Sequence, residues 1–313
     1  MTAPSGRPVV VALGGNALLR RGESPDVGLQ RRNVDVAAEA LAAIARNRRL
    51  VITHGNGPQV GVLALQSEAS STPSPLDVLG AETEGMIGYL ISQALGNRLP
   101  GHPVATLLTQ VIVSADDPAF GAPTKPIGPI YPEADAHRLA AERGWTVAPD
   151  GPSFRRVVAS PKPLEIVELS TIRLLLDAGV TVVCAGGGGV PVVADAAGSL
   201  HGVEAVIDKD LSAALLAERL GASMLVMLTD VASVQRGFGT PAAEPIGEID
   251  PAALSSLRFA PGSMAPKVEA ACRFVAATGG TAAIGSLAEA EAVVRGESGT
   301  RIVPAAGATA VAV

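Results

Sequence analysis

The sequence predicts an α/β protein with a mainly parallel sheet, on three observations. Short apolar, β-branched runs alternate with helical patterns along most of the chain, and helix-then-strand alternation makes neighbouring strands parallel. Apolar residues make up 48% of the chain and aromatics only 3%. The interior is therefore Ala, Val, Leu and Ile packing, as between a parallel sheet and its helices. Three of the runs empty into glycine-rich turns: VVVALGGN at 9–16, LVITHGNGP at 50–58 and VTVVCAGGGGVPVV at 180–193. Glycine costs backbone entropy, so four in succession form either a flexible connector or a place where main-chain N–H groups approach an anion. Recurrence at three strand ends favours one shared crevice.

The first strand ends at Gly14 and Gly15, and a charged loop at 20–32 leads to a helix. There Val34, Ala37, Ala38, Leu41, Ile44 and Ala45 fall at helical spacing. Residues 50–53 return as a strand, and Pro58 suits the opening of the next helix. A Ser/Thr/Pro patch at 67–75 breaks it. Residues 76–99 read as one long helix, whose stripe of Leu79, Met86, Ile87, Leu90, Ile91, Ala94 and Leu95 is either core or subunit interface. Short strands follow at 104–108 and 111–113. Between 116 and 163 the texture changes to many prolines, few apolar runs and the one tryptophan. That stretch reads as an inserted or protruding subdomain with a short helix at 133–143. Residues 165–178 read as an amphipathic helix feeding the strand at 180. Further on, 224–228, 281–284 and 300–303 read as strands, 238–245 as a loop, and 251–257, 263–277 and 286–295 as helices. Asp210 is a candidate cap for a helix running to Leu220.

Several function classes are excluded by composition. A formal charge of -6 and a pI near 5.3 leave no basic stripe for a nucleic-acid partner. Cys184 and Cys272 read as buried small hydrophobes rather than a disulfide framework. The opening MTAPSGRP lacks the apolar core of a signal peptide, and no apolar stretch reaches membrane-spanning length. A cytoplasmic protein without a membrane partner is expected. There is no Walker-type loop, no G-x-G-x-x-G after a strand, no G-x-S-x-G and no zinc-spaced Cys/His cluster, so no protein-held metal is expected.

The lysines are the sharpest clue. Of 24 basic residues only four are lysine, at Lys125, Lys162, Lys209 and Lys267. A compact, flexible ammonium was kept there while arginine serves elsewhere. Each stands beside proline, glycine or aspartate, as ligand loops do. Glycine turns with point-charge lysines are the equipment of phosphoryl transfer, where a catalyst mainly positions and neutralises spreading negative charge. Asp208 and Asp210 flank Lys209 and can hold it in place and charged. For Asp210 a plain helix cap is the alternative. His54, in THGNGP, reads as orienting its turn rather than moving a proton.

These features occur in nine blocks, in order: VVALGGNAL (10–18), ITHGNGPQVG (52–61), ETEGMIGY (82–89), PTKPIGP (123–129), SPKP (160–163), GGGGVPVV (186–193), GVEAVIDKD (202–210), LTDV (228–231) and FAPGSMAPKVEAA (259–271). Over nearly its whole length the chain thereby resembles carbamate kinase, a branch of the amino acid kinase superfamily. The resemblance implies an open three-layer αβα sandwich and a homodimer. It implies that residues 1–185 hold carbamate or carbamoyl phosphate, with 116–163 as a lid carrying Lys125, and that residues 186–313 hold ATP or ADP. Gly14, Gly15, Asn16, Gly55, Asn56, Gly186, Gly187 and Gly188 would line the acceptor and phosphoryl site. Lys125, Lys209 and Lys267 would neutralise the transferred group, with Asp210 organising the lysines. Asp208, Lys209, Asp230, Ala260, Gly262, Met264 and Lys267 would serve the nucleotide.

The implied reaction converts ATP and carbamate to ADP and carbamoyl phosphate by direct in-line transfer, with Mg2+ bridging the nucleotide phosphates. Both nucleophiles, carbamate and the ADP β-phosphate, are already anionic, so no general base is needed. Many superfamily members carry a lysine on the first strand where this chain has Ala12, and Lys125 would supply that charge. The chain departs from the family at Ala232 and Gln235, where the family has an aspartate and an aromatic beside the adenine, and at Ser153-Phe154, where it has Gly-Trp near the lid. The alternatives are a sister kinase acting on another small carboxylate or carbamate, and a nucleotide-binding regulator without turnover.

Overall fold

Val9–Leu13 carries five apolar side chains in succession and is buried along its whole length, as a strand must be when both faces of its sheet are covered. In the computed structural model, which describes residues 6–15, 18–19, 26–259 and 264–305, it lies inside an eight-stranded sheet. The order is Glu248–Ile249, Thr300–Ile302, Thr281–Ser286, Met224–Thr229, Val9–Leu13, Leu50–His54, Thr181–Val183, Val104–Thr106. Every pairing is parallel except that of Thr281–Ser286 with Thr300–Ile302. The expected mainly parallel sheet is present.

Successive strand side chains point to opposite faces, so Val10 and Ala12 enter one core while Val9, Val11 and Leu13 enter another. The first core is closed by the helices Leu169–Asp177, Lys209–Arg219 and Met264–Thr278, the second by Val27–Asn47, Leu76–Arg98 and Ala290–Arg295. This is the three-layer αβα arrangement. The stripe on Leu76–Arg98 proves to be core, because Ile87, Leu90, Ile91, Ala94 and Leu95 all lie in the second cluster.

Residues 116–163 contain a separate antiparallel sheet of Lys125–Tyr131, Ser153–Val158 and Thr146–Asp150, with the helix Glu133–Arg143 packed on it. It rests on the helix Gly57–Ser67. Ile127 and Val158 join Val60 and Ala64 in a small apolar cluster, and a side chain at Gly61 would overlap the main chain of Gly128. At the far end of that helix Glu68 accepts from Trp145 Nε1 at 3.0 Å and pairs with Arg143 and Arg156. The Trp145 ring has Arg143 at 5.0 Å and Arg156 at 4.9 Å from its centroid.

Four expectations need correcting. The charged loop at 20–32 is already helix from Val27, because the Asp26 side chain accepts from Leu29 N at 2.9 Å and caps it. Residues 165–178 are not one helix: Glu165–Ile166 pairs antiparallel with Gln110–Ile112, and the helix starts at Leu169. The cap of Lys209–Arg219 is Asp208 rather than Asp210, its side chain accepting from Asp210 N and Leu211 N. The stretch 238–245 is a loop only to 243, since Glu244–Pro245 pairs with Gln235–Arg236.

Candidate active site

The strand Val9–Leu13 has Leu50–His54 on one side and Met224–Thr229 on the other, so the chain leaves it in opposite directions. A crevice opens outside the carboxyl ends of parallel strands at such a point. Gly14 and Gly15 lie there, Gly55 and Asn56 follow the neighbouring strand, and Gly186–Gly188 follows Thr181–Val183. A side-chain carbon at Gly55 would come within 3.1 Å of Gly15 N and 3.3 Å of Lys209 Cδ. Gly187 has φ +66 and Gly188 φ +102, and any side chain at Gly187 would overlap that of Asn56. Glycine is required there by both conformation and contact. The three turns therefore meet, and Lys209 meets them.

Asp208 and Asp210 sit at the start of Lys209–Arg219 and hold Lys209 between them together with two lysines from distant parts of the chain. Asp210 Oδ1 accepts from Lys209 Nζ at 2.9 Å and Oδ2 from Lys267 Nζ at 3.0 Å. Asp208 Oδ2 accepts from Lys125 Nζ at 2.5 Å. Asp210 is 3% exposed and Lys267 8%. Burial works against the Asp210 charge, but the two flanking ammonium groups hold its carboxyl well below the usual carboxylate range. For Lys209 burial is likewise opposed, by Asp210 and Asp208, which raise it. Burial and the nearby Lys209 lower Lys267. Burial works against the Asp208 charge too, yet Lys125 and Lys209 together lower its carboxyl. Within this cluster three cations face two carboxylates, an excess of one positive charge, and Lys125 arrives on the sheet of Lys125–Tyr131, Ser153–Val158 and Thr146–Asp150.

Asp230 stands just past Met224–Thr229 and accepts from Thr229 Oγ1 at 3.0 Å. Met264 opens Met264–Thr278, the helix that carries Lys267 into the cluster, and packs against the first core. Asn16, Ala260 and Gly262 lie outside the described residues. Lys162 is exposed, its main-chain N bonded to Asp117 Oδ2 at 2.9 Å, and it does not join the other lysines. His54 is enclosed, with Nδ1 3.2 Å from Gly55 O, and burial pushes it down to about 4, so it is neutral at pH 7. Among the described residues no group of three or more His, Cys, Asp or Glu side chains could hold a metal, and no helix is long and apolar enough to cross a membrane.

Sequence reasoning assigned no role to Thr83 or Glu84, although it quoted both within ETEGMIGY. Both are fully buried. Thr83 Oγ1 accepts from Asn56 Nδ2 at 2.9 Å, and Glu84 accepts from Gly186 N at 2.7 Å and Thr109 N at 3.2 Å. The available signal was an acid in phase with the apolar stripe of its helix.

The model of the amino acid kinase family matches residues 7–286. A carbamate kinase of Haemophilus influenzae is 54% identical over 297 residues, covering 94% of this chain and 96% of that one. One of Escherichia coli K12 is 50% identical over 298 residues, covering 95% and 99%. This chain belongs to the carbamate kinase branch of the amino acid kinase family. A solved carbamate kinase of Giardia lamblia, bound to AMP-PNP, superposes with a TM-score of 0.88 at 41% identity, covering 96% of this chain and 99% of that one. The lysine cluster and glycine turns here are assembled at the strand ends of an α/β sheet rather than on a Walker-type loop.

Proposed function

We propose that this carbamate kinase family member catalyses reversible phosphoryl transfer from ATP to carbamate, giving ADP and carbamoyl phosphate, with the lysine cluster as its catalytic centre. The observation that carries this reading is the meeting of Lys125, Lys209 and Lys267 on two carboxylates beside three glycine turns. Transfer of a phosphoryl group spreads negative charge over its oxygens, and fixed cations with main-chain N–H donors stabilise that charge without reorganising. In this reading Asp210 fixes Lys209 and Lys267 and keeps both charged. Lys125 exchanges Asp208 for an oxygen of the transferred group when substrate enters, and the lid closes the crevice. Neutral, enclosed His54 is no proton carrier, which agrees with a reaction whose nucleophiles are already anionic.

Residues 1–185 then bind carbamate or carbamoyl phosphate, with 116–163 as the lid, and residues 186–313 bind the nucleotide. Mg2+ enters as part of the nucleotide substrate, since Asp208 and Asp210 are engaged by lysines and offer no free ligand set. A homodimer is supported by Tyr89 and Leu108, 50% and 54% exposed. A side-chain carbon at Gly85 would lie 3.8 Å from Leu108 Cδ2, so Leu108, in the loop after Val104–Thr106, lies beside the helix Leu76–Arg98 that carries Tyr89. The proposed location is the cytoplasm.

A coupled assay supplying carbamoyl phosphate and ADP tests the reaction, with ATP formation expected. No ATP from carbamoyl phosphate, but ATP from another acyl phosphate, would make this a sister kinase. ADP binding without turnover on any small anion would make it a regulator.

A further inference from the structure

Between Ala185 and Gly189 the main chain has five N–H groups, and four are engaged within the protein. Ala185 N donates to Thr109 Oγ1 at 2.9 Å and Gly186 N to Glu84 Oε1 at 2.7 Å. Gly188 N donates to Ala185 O at 3.1 Å and Gly189 N to Gly186 O at 3.0 Å. Gly187 N has no partner among the described residues. A glycine turn expected to offer three amides to an anion, from Gly186, Gly187 and Gly188, thus keeps one to offer.

What reserves that amide is the helix Leu76–Arg98. Glu84 is an acid with no exposure, at a position that an apolar residue would fill without desolvating a carboxyl. Its two oxygens take Gly186 N and Thr109 N, and the Thr109 hydroxyl takes Ala185 N. One residue earlier on the same helix, Thr83 Oγ1 takes Asn56 Nδ2. The Asn56 side chain in turn lies against Gly187. Two consecutive side chains of one helix therefore grip two separate turns that touch each other.

We propose that Glu84 and Thr83 are positioning residues for phosphoryl transfer: they fix the 55–56 and 186–188 turns against one another and leave the Gly187 amide as the donor to the migrating group. The proposal rests on the reading above that these turns receive the substrate anion. Donors aimed at developing charge act only if held within a fraction of an ångström, and neither side chain needs to touch substrate to do this.

Steady-state kinetics with carbamoyl phosphate and ADP, joined to amide hydrogen exchange of the substrate-free protein, test it. Thr83→Val keeps the shape but loses the acceptor, and is expected to raise KM for carbamoyl phosphate about tenfold while KM for ADP stays within about twofold. Thr83→Ser should restore wild-type behaviour. Glu84→Ala should show a larger loss of the same kind, and Glu84→Gln, which keeps one carbonyl oxygen for Gly186 N, a smaller one. In exchange, Glu84→Ala should speed the 184–189 segment about tenfold and leave 9–13 unchanged. Equal rises in both KM values, or a Thr83→Ser as impaired as Thr83→Val, would overturn the proposal. Should Glu84→Ala fail to fold, the Thr83 pair decides. A wild-type chain that makes no ATP would contradict the reaction instead, and unchanged exchange at 184–189 in the Glu84 variants would still overturn the gripping role.

Discussion

Lys125 is half-exposed on the lid sheet, whereas Lys267 is buried in the helix Met264–Thr278 and pinned to Asp210. Their removal should therefore differ in kind. Lys125→Ala is expected to lower turnover by about two to three orders of magnitude and to leave ADP affinity nearly intact. Lys267→Ala should weaken both, and initial rates beside ADP calorimetry check the pair. Glu84 and His54 give the chain a two-sided pH profile. Burial pushes Glu84 up to about 8 from 4.5; the folded chain keeps a proton that the unfolded chain releases, so stability falls as pH rises across that window. Burial pushes His54 down to about 4 from 6.5; the unfolded chain gains a proton that the folded chain refuses, so stability falls as pH drops across that window. The two effects oppose each other in the overlap. The remaining fall above about pH 6.5 belongs to Glu84, which also feels Glu168, and Cys184 nearby stays a neutral thiol because burial raises it. Thermal melts of Glu84→Gln should lack that alkaline fall, and an unchanged fall would contradict the assignment. The three clustered lysines were legible because lysine is scarce in this chain. Glu84 was not, because its partners lie 25 and 102 residues away.

The helix Gly57–Ser67 links site to lid, opening after Asn56 and ending against Glu68, with Gly128 of the lid seated on Gly61. Gly61→Ala inserts a methyl into main chain that cannot move aside cheaply. It should unseat the lid, lower turnover about tenfold and spare ADP affinity. Trp145 is the one tryptophan and its indole N–H is held by Glu68, so its emission should shift to the red in this variant. Emission identical to wild type would mean that the lid does not depend on this contact. Elements with strong local signals were legible: 76–99 and 133–143 match the helices Leu76–Arg98 and Glu133–Arg143, the first helped by its apolar stripe. Glu165–Ile166 was misread because its partner strand is about 50 residues earlier, and pairing overrides local pattern. At Asp208 and Asp210 both residues suit a cap, and only the positions of Lys209 and Lys267 decide between them.

At the scale of the whole molecule, the class of fold was legible and the order of its strands was not. Alternating helix and strand patterns give a parallel sheet, but nothing local inserts Thr181–Val183 between Leu50–His54 and Val104–Thr106, or turns Thr300–Ile302 antiparallel. That order matters, because it brings Gly15, Gly55, Gly187 and the lysines 125, 209 and 267 to one edge. The central claim is that these groups close around a migrating phosphoryl group, with Lys125 transferring its contact from Asp208. A crystal structure with ADP and a phosphoryl-mimicking anion tests this most directly. Lys125 Nζ and Gly187 N are expected within about 3 Å of the anion, with Lys209 and Lys267 still on Asp210. An anion bound away from the turns, with Lys125 remaining on Asp208, would contradict the account.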